Sequence, residues 1–130
     1  MTSKAHPPPR VLVCGGRDFA DYEMLSEALD ALMPVAVIIH GGAKGADRLA
    51  GQYAESHQIE QWAFPALWEK YGKGAGPVRN AQMLREGKPE IVIAFPGGKG
   101  TANMVKLARE AGVPVVNVVG VVQRDRSDTP

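Results

Sequence analysis

The sequence predicts a single α/β domain, a Rossmann-like doubly wound parallel sheet of about five strands in the order 3-2-1-4-5. Three observations carry that expectation. Short aliphatic runs alternate with helical patterns along the chain. Four of the five runs are nearly continuous in Val, Ile, Leu and Ala, as strands buried on both faces must be. Glycine-rich segments follow three of the runs directly, where a strand must turn into a helix. Such an alternation calls for right-handed crossovers that place helices on both faces of one sheet.

The elements follow in order. Residues 1–9, with Pro7–Pro9, read as a loose leader before a first strand at Arg10–Cys14. The first helix repeats Leu25, Ala28, Leu29 and Leu32 at i, i+3, i+4 and i+7, with Asp21 as its cap and Pro34 beyond its end. A second strand, Val35–His40, leads to a helix carrying Ala46, Leu49, Ala50, Tyr53 and Ala54. The third strand, Ile59–Phe64, is more polar and is assigned to a sheet edge. A long loop with Gly72, Gly74 and Gly76 follows, a natural mobile lid. A short helix, Pro77–Arg85, then opens with proline in its first turn and stops at Gly87. The fourth strand, Glu90–Phe95, precedes a helix with Met104, Leu107, Ala108 and Ala111, closed by Gly112 and Pro114. A fifth strand, Pro114–Val119, ends a domain spanning residues 10–122, and residues 123–130 form a polar tail.

Composition narrows the function. Lys and Arg number 15 against 14 Asp and Glu in 130 residues, a net charge of +1. That balance argues against a strongly nucleic-acid-binding or membrane-surface protein. The longest apolar run, Val35–Ile39, is too short to cross a bilayer. The single cysteine, Cys14, cannot form an internal disulfide, so a cytoplasmic setting is expected. Cys14 has no evident base partner and reads as a small strand-end residue. His6, His40 and His57 lack ligand spacing, so neither a metal site nor a cofactor is expected. His40 reads as a strand-end histidine satisfied by its neighbours.

The glycines point to a ligand. Eleven of 15 fall in four clusters: Gly15-Gly16, Gly41-Gly42-Gly45, Gly72-Gly74-Gly76 and Gly97-Gly98-Gly100. In a parallel sheet these turns share the carboxyl edge, where open α/β folds bind ligands. Each leads into a helix, whose free N–H groups and positive dipole end suit an anion, most naturally a phosphate. The named motifs do not fit. Gly98-Lys99-Gly100-Thr101 has glycine where a P-loop needs Ser or Thr, and no G-x-G-x-x-G follows the first strand.

Four segments together resemble the SLOG superfamily, in its YspA-like branch. They are Gly15-Gly16-Arg17-Asp18, His40-Gly41-Gly42-Ala43-Lys44-Gly45-Ala46-Asp47, Gly76-Pro77-Val78-Arg79-Asn80, and Pro96-Gly97-Gly98-Lys99-Gly100-Thr101. The resemblance covers about residues 10–119. It implies a Rossmann-like sheet that binds nucleotides or nucleotide-derived ligands, in a superfamily shared with the Lonely Guy phosphoribohydrolases and the DprA core. By resemblance Pro96–Thr101 matches the family's P-G-G-x-G-T phosphate loop, and Arg79 the arginine beside the ligand. The Lonely Guy motif continues to a glutamate, and Met104 occupies that position here. Whether the protein is an enzyme, a nucleotide N-glycosidase, is therefore left open. DprA-like features keep a single-strand DNA module as the alternative.

The expected ligand-binding residues are Gly15, Gly16, Arg17, Asp18, Gly41, Gly42, Ala43, Gly45, Asn80, Gly97, Gly98, Lys99, Gly100 and Thr101. If chemistry occurs, Asp47 and Arg79 are its residues, with Arg79 holding phosphate and Asp47 meeting a ribose hydroxyl or a water. Thr101 caps its helix or meets a phosphate oxygen. Arg17 binds phosphate or pairs locally with Asp18. Trp62 and Phe64 pack the third strand, while Trp68 or Tyr71 is the aromatic candidate to touch a ligand. The expected partner is a nucleotide-like small molecule, with weak nucleic-acid binding, no membrane association, and self-association into a homo-oligomer left open.

Overall fold

Five strands form one all-parallel sheet in the computed structural model of the chain, which describes residues 7–119. They are β1 (Arg10–Cys14), β2 (Val37–His40), β3 (Glu60–Ala63), β4 (Ile91–Ala94) and β5 (Val115–Asn117). Their order is β3-β2-β1-β4-β5, as the sequence predicts. Leu12 of β1 is in register with Ile39 of β2 on one side and Val92 of β4 on the other.

Alternation along the strands builds two cores. Val11, Val13, Ile38 and Ile93 face a layer made by α1 (Tyr22–Asp30) and α2 (Ala46–Ser56), which contribute Leu25, Leu29, Ala50 and Tyr53. Leu12, Cys14, Ile39, Val92 and Ala94 face the opposite layer, where Met83 joins Met104 and Ala108 of α5 (Lys99–Glu110). Each large aliphatic side chain fully buried in this way stabilises the fold by about 1.5–3 kcal/mol. Asp21 caps α1 by accepting the Met24 N–H at 3.0 Å. The polar third strand stands at the sheet edge, where Trp62 packs on the second core and donates Nε1–H to Glu60 at 2.8 Å.

The segment after β3 differs from its expectation as an open loop. It holds the short helix α3 (Trp68–Tyr71), a 3-10 turn at Gly72–Gly74, and α4 (Ala75–Gln82). Gly76 and Pro77 therefore lie in the first turn of α4, where proline's missing N–H leaves no intrahelical bond unmade. Fully buried Ala75 anchors this start. The chain continues through a wide helical turn, Met83–Gly87, and leaves it at Lys88 in a left-handed conformation (φ 48°). The tail, residues 120–122 of the expected domain, and the leader before Pro7 lie outside the described residues.

Candidate functional site

The chain order reverses between β1 and β4, and at their carboxyl ends lies a crevice of about 660 Å³. Its walls are the turns after β1, β2 and β4, together with α4 and the Pro65-Ala66 segment. From the β1 turn it receives Gly15, Gly16 and Arg17, and from the β2 turn Gly41, Gly42, Ala43 and Asp47. Helix α4 contributes Arg79 and Asn80, and the first turn of α5 contributes Gly98, Lys99, Gly100 and Thr101. Asp18, Gly45 and Gly97 stand outside this lining.

Two of those three have packing roles. Gly45 is in the left-handed region (φ 76°), and a Cβ there would strike the Gly16 carbonyl and Arg17. A Cβ on Gly97 would strike Thr101 Oγ1 and the Gly15-Gly16 backbone. The Gly16 N–H donates to Pro96 O at 2.8 Å, and the Ala46 N–H to Gly16 O at 3.1 Å. These glycines let backbones meet at the switch point.

The turns are not equally open to an anion. Asp47 Oδ2 accepts the N–H groups of Gly41 and Ala43, each at 3.1 Å. The Gly42 N–H donates to His40 Nδ1 at 3.0 Å, so His40 carries its proton on Nε2 and donates it to Gln61 Oε1 at 2.8 Å. The N–H groups of Gly41, Gly42 and Ala43 are thus taken up within the β2 turn, and His40 is satisfied. Lys99, Gly100 and Thr101 at the start of α5, by contrast, donate their N–H groups to no acceptor among the described residues. The Thr101 hydroxyl also makes no hydrogen bond among the described residues, so it does not cap the helix, and Gly98 at the N-cap has no side chain to do so. The free donors and the positive dipole end therefore face the crevice at α5.

A chain of hydrogen bonds crosses the floor. Arg79 Nη1 donates to Gly41 O at 2.7 Å and, more weakly, to Phe64 O at 3.5 Å, while its Nε donates to Asn80 Oδ1 at 3.0 Å. Asn80 Nδ2 donates to Gly100 O at 3.2 Å and to Asn103 Oδ1 at 2.9 Å. Asn80 is only 5% exposed and spends its amide on joining α4 to α5. Asn103 is the member of this network that the sequence did not single out, since only the packing of α4 on α5 brings it to Asn80.

Burial sets the electrostatics. It pushes the Asp47 carboxyl above the ordinary aspartate range, against the pull of the Ala43 and Gly41 N–H groups, His40 and Arg79. It lowers Arg79, opposed by Asp47 and reinforced by Arg17. It pushes the Cys14 thiol up to about 12, with Asp47 adding to the effect, so a neutral thiol lies on the crevice wall. Arg17 is exposed at the mouth and forms no ion pair among the described residues, with Asp18 or any other. Lys44, Lys73 and Lys99 add positive charge, and the half-exposed Trp68 forms part of one wall. Tyr71 is not in the lining, and Lys70 lies 5.1 Å from its ring centre. No group of three His, Cys, Asp or Glu able to hold a metal occurs among the described residues. No helix among them is long and apolar enough to cross a membrane.

A five-stranded parallel sheet with its crevice at the strand-order reversal defines a doubly wound, Rossmann-like domain. The chain belongs to the YspA, cpYpsA-related SLOG family, whose model matches residues 9–71 and so spans the turns after β1 and β2. The Gene 61 protein of Mycobacterium phage D29 is 36% identical over 119 residues, covering 83% of this chain and 94% of the phage protein. Among solved structures, the molybdenum cofactor binding protein of the phototrophic bacterium Rippkaea orientalis shares the fold with a TM-score of 0.67. It is 23% identical, and the match covers 95% of this chain and 83% of the other.

Proposed function

We propose that the crevice binds a nucleotide or nucleotide-derived phosphorylated ligand, such as a nucleoside monophosphate or an ADP-ribose-like molecule. The role is one of binding or sensing, with N-glycosidic hydrolysis weak. The observation that carries this reading is the open first turn of α5. Three unbonded N–H groups there, the Thr101 hydroxyl and the nearby Arg17 and Lys99 suit an oxyanion. The crevice volume lies within the usual ligand range of roughly 300–1,000 Å³. The Rippkaea orientalis protein of like fold is described by the small-molecule cofactor it binds, which supports a small-molecule role for this architecture.

The test is thermal denaturation with nucleoside monophosphates and ADP-ribose, on the wild type and Gly98→Val. A ligand at a hundred times its dissociation constant adds roughly 2.7 kcal/mol, a shift of several degrees in a domain of this size. A Cβ at Gly98 meets no protein atom within 4 Å, so Gly98→Val is expected to fold and to lose the shift by filling the anion's approach. No shift with any nucleotide at millimolar concentration overturns the reading. Submicromolar binding of single-stranded DNA at physiological salt favours the DNA module instead, since non-specific contacts give only about 10⁻⁴–10⁻⁶ M.

A further inference from the structure

We infer that Asp47 and Arg79 form a sugar-hydroxyl subsite at the floor of the crevice, which requires the vicinal hydroxyls of a ribose. The inference rests on the proposed nucleotide reading and assigns the ligand's direction within the site. Asp47 is only 7% exposed, and its Oδ2 is committed to Gly41 and Ala43. Its Oδ1 has no partner among the described residues. No buried side-chain oxygen or nitrogen is left unsatisfied among the described residues, so Oδ1 is open to the crevice that Asp47 lines. Arg79 repeats the pattern. Its Nε and Nη1 are bonded to protein oxygens, and its Nη2 has none among the described residues.

An acceptor and a donor are thus both anchored to Gly41. A phosphate placed here meets the Asp47 carboxylate and is repelled. A hydroxyl fits both groups, because it can donate to Asp47 Oδ1 and accept from Arg79 Nη2. The anion belongs instead at the α5 turn, where, among the described residues, N–H groups are free and no carboxylate stands beside them. A nucleoside 5′-monophosphate carries its phosphate and its 2′- and 3′-hydroxyls on opposite sides of the ribose, which matches this polarity. Single-stranded DNA has no 2′-hydroxyl and an esterified 3′-oxygen, so it offers the pair no hydroxyl to bind.

The experiment compares binding of the four ribonucleoside 5′-monophosphates with their 2′,3′-dideoxy counterparts by calorimetry, on the wild type and on Asp47→Asn. Removing the hydroxyls leaves a buried acceptor unpaired, so the best ribonucleotide is expected to bind roughly 10- to 100-fold more tightly than its dideoxy form. Asp47→Asn keeps an oxygen for the Gly41 and Ala43 amides but presents NH₂ to the crevice, and is expected to erase the preference. Equal wild-type affinity for both sugars overturns the subsite while leaving the nucleotide reading intact. A preference that survives in Asp47→Asn also overturns it, by placing the hydroxyl reader elsewhere. Failure of every nucleotide to bind overturns the nucleotide reading and the subsite with it.

Discussion

Asp47 and Arg79 both hold the backbone of Gly41. The carboxylate accepts its N–H at 3.1 Å, and the guanidinium donates to its carbonyl at 2.7 Å. One residue of the β2 turn is therefore fixed by α2 and α4 together, and the two helices set the shape of the crevice floor. A Cβ at position 41 would collide with the Arg79 guanidinium and crowd Asp47 Oδ2 at 3.0 Å.

Gly41→Ala is accordingly expected to destabilise the domain by about 1–3 kcal/mol, the usual cost of forcing atoms into a packed site. That corresponds to a drop of several degrees in melting temperature. Gly100→Ala is the control. Its Cβ meets nothing within 4 Å and it stands in a helical turn, so its melting temperature is expected to hold or rise slightly. Equal melting temperatures for Gly41→Ala and the wild type would refute the grip on Gly41.

Much of this fold is legible in the sequence because it depends on local chemistry. The apolar runs around Leu12, Ile38 and Val92 mark central strands, the polar Glu60-Gln61 marks the edge, and Asp21 marks a helix start. Strand order follows from crossover handedness and the placement of the turns. The condition of those turns is not legible. Glycine density at Gly41-Gly42 and at Gly98-Gly100 looks alike in sequence. Only the tertiary structure shows that Asp47 and His40 consume the N–H groups of Gly41, Gly42 and Ala43, while those of Lys99, Gly100 and Thr101 meet no acceptor among the described residues. The stretch from Trp68 to Gly76 was unreadable for another reason. Its glycines argue for a loop, whereas the chain forms α3, a 3-10 turn and the start of α4, which buried Ala75 opens.

Asn80 is the second point where α4 controls the anion turn, since its Nδ2 holds the Gly100 carbonyl. Asn80→Asp replaces that donor with an oxygen facing two other oxygens, those of Gly100 and Asn103. The unpaired buried groups are expected to cost about 1–3 kcal/mol, measurable by urea unfolding. Nucleotide affinity should weaken beyond the loss in Asn103→Ala, which leaves the Asn80–Gly100 bond in place. Comparable affinities for the two variants would remove Asn80 from the positioning of α5.

The buried Asp47 also predicts a pH dependence. Burial, the dominant influence, raises its pKa in the folded state above the unfolded value of about 3.9. The folded protein then holds this proton more tightly than the unfolded chain. The resulting stability is fully present below the unfolded pKa and is lost as pH rises through the folded pKa. Asp47→Asn has no such titration. The melting temperature of the wild type relative to Asp47→Asn is therefore expected to be higher at about pH 4 than at about pH 7. The opposite trend would mean that the Gly41 and Ala43 N–H groups and Arg79 outweigh burial.

Met104 bears on whether this family member cleaves glycosidic bonds. Breaking a ribosyl bond develops oxocarbenium-like positive charge, which a carboxylate in the site stabilises. Met104 stands at the motif position where Lonely Guy enzymes carry glutamate, and its thioether offers neither charge nor a proton. It is 1% exposed, packed in the core with Leu12, Cys14 and Met83, and it also forms part of the crevice wall. Introducing Glu there buries a carboxylate among apolar side chains, at an expected cost of several kcal/mol. Met104→Glu should therefore destabilise the fold without conferring hydrolase activity, whereas Met104→Leu should cost less than about 1.5 kcal/mol. Among the described residues Asp47 is the one carboxylate in the crevice lining, so any residual base release from nucleoside monophosphates should disappear in Asp47→Asn. Wild-type turnover should fall about 10²–10⁴-fold below that of an enzyme with a positioned acid–base group. Fast wild-type base release that Asp47→Asn leaves untouched would show that a different residue performs the chemistry.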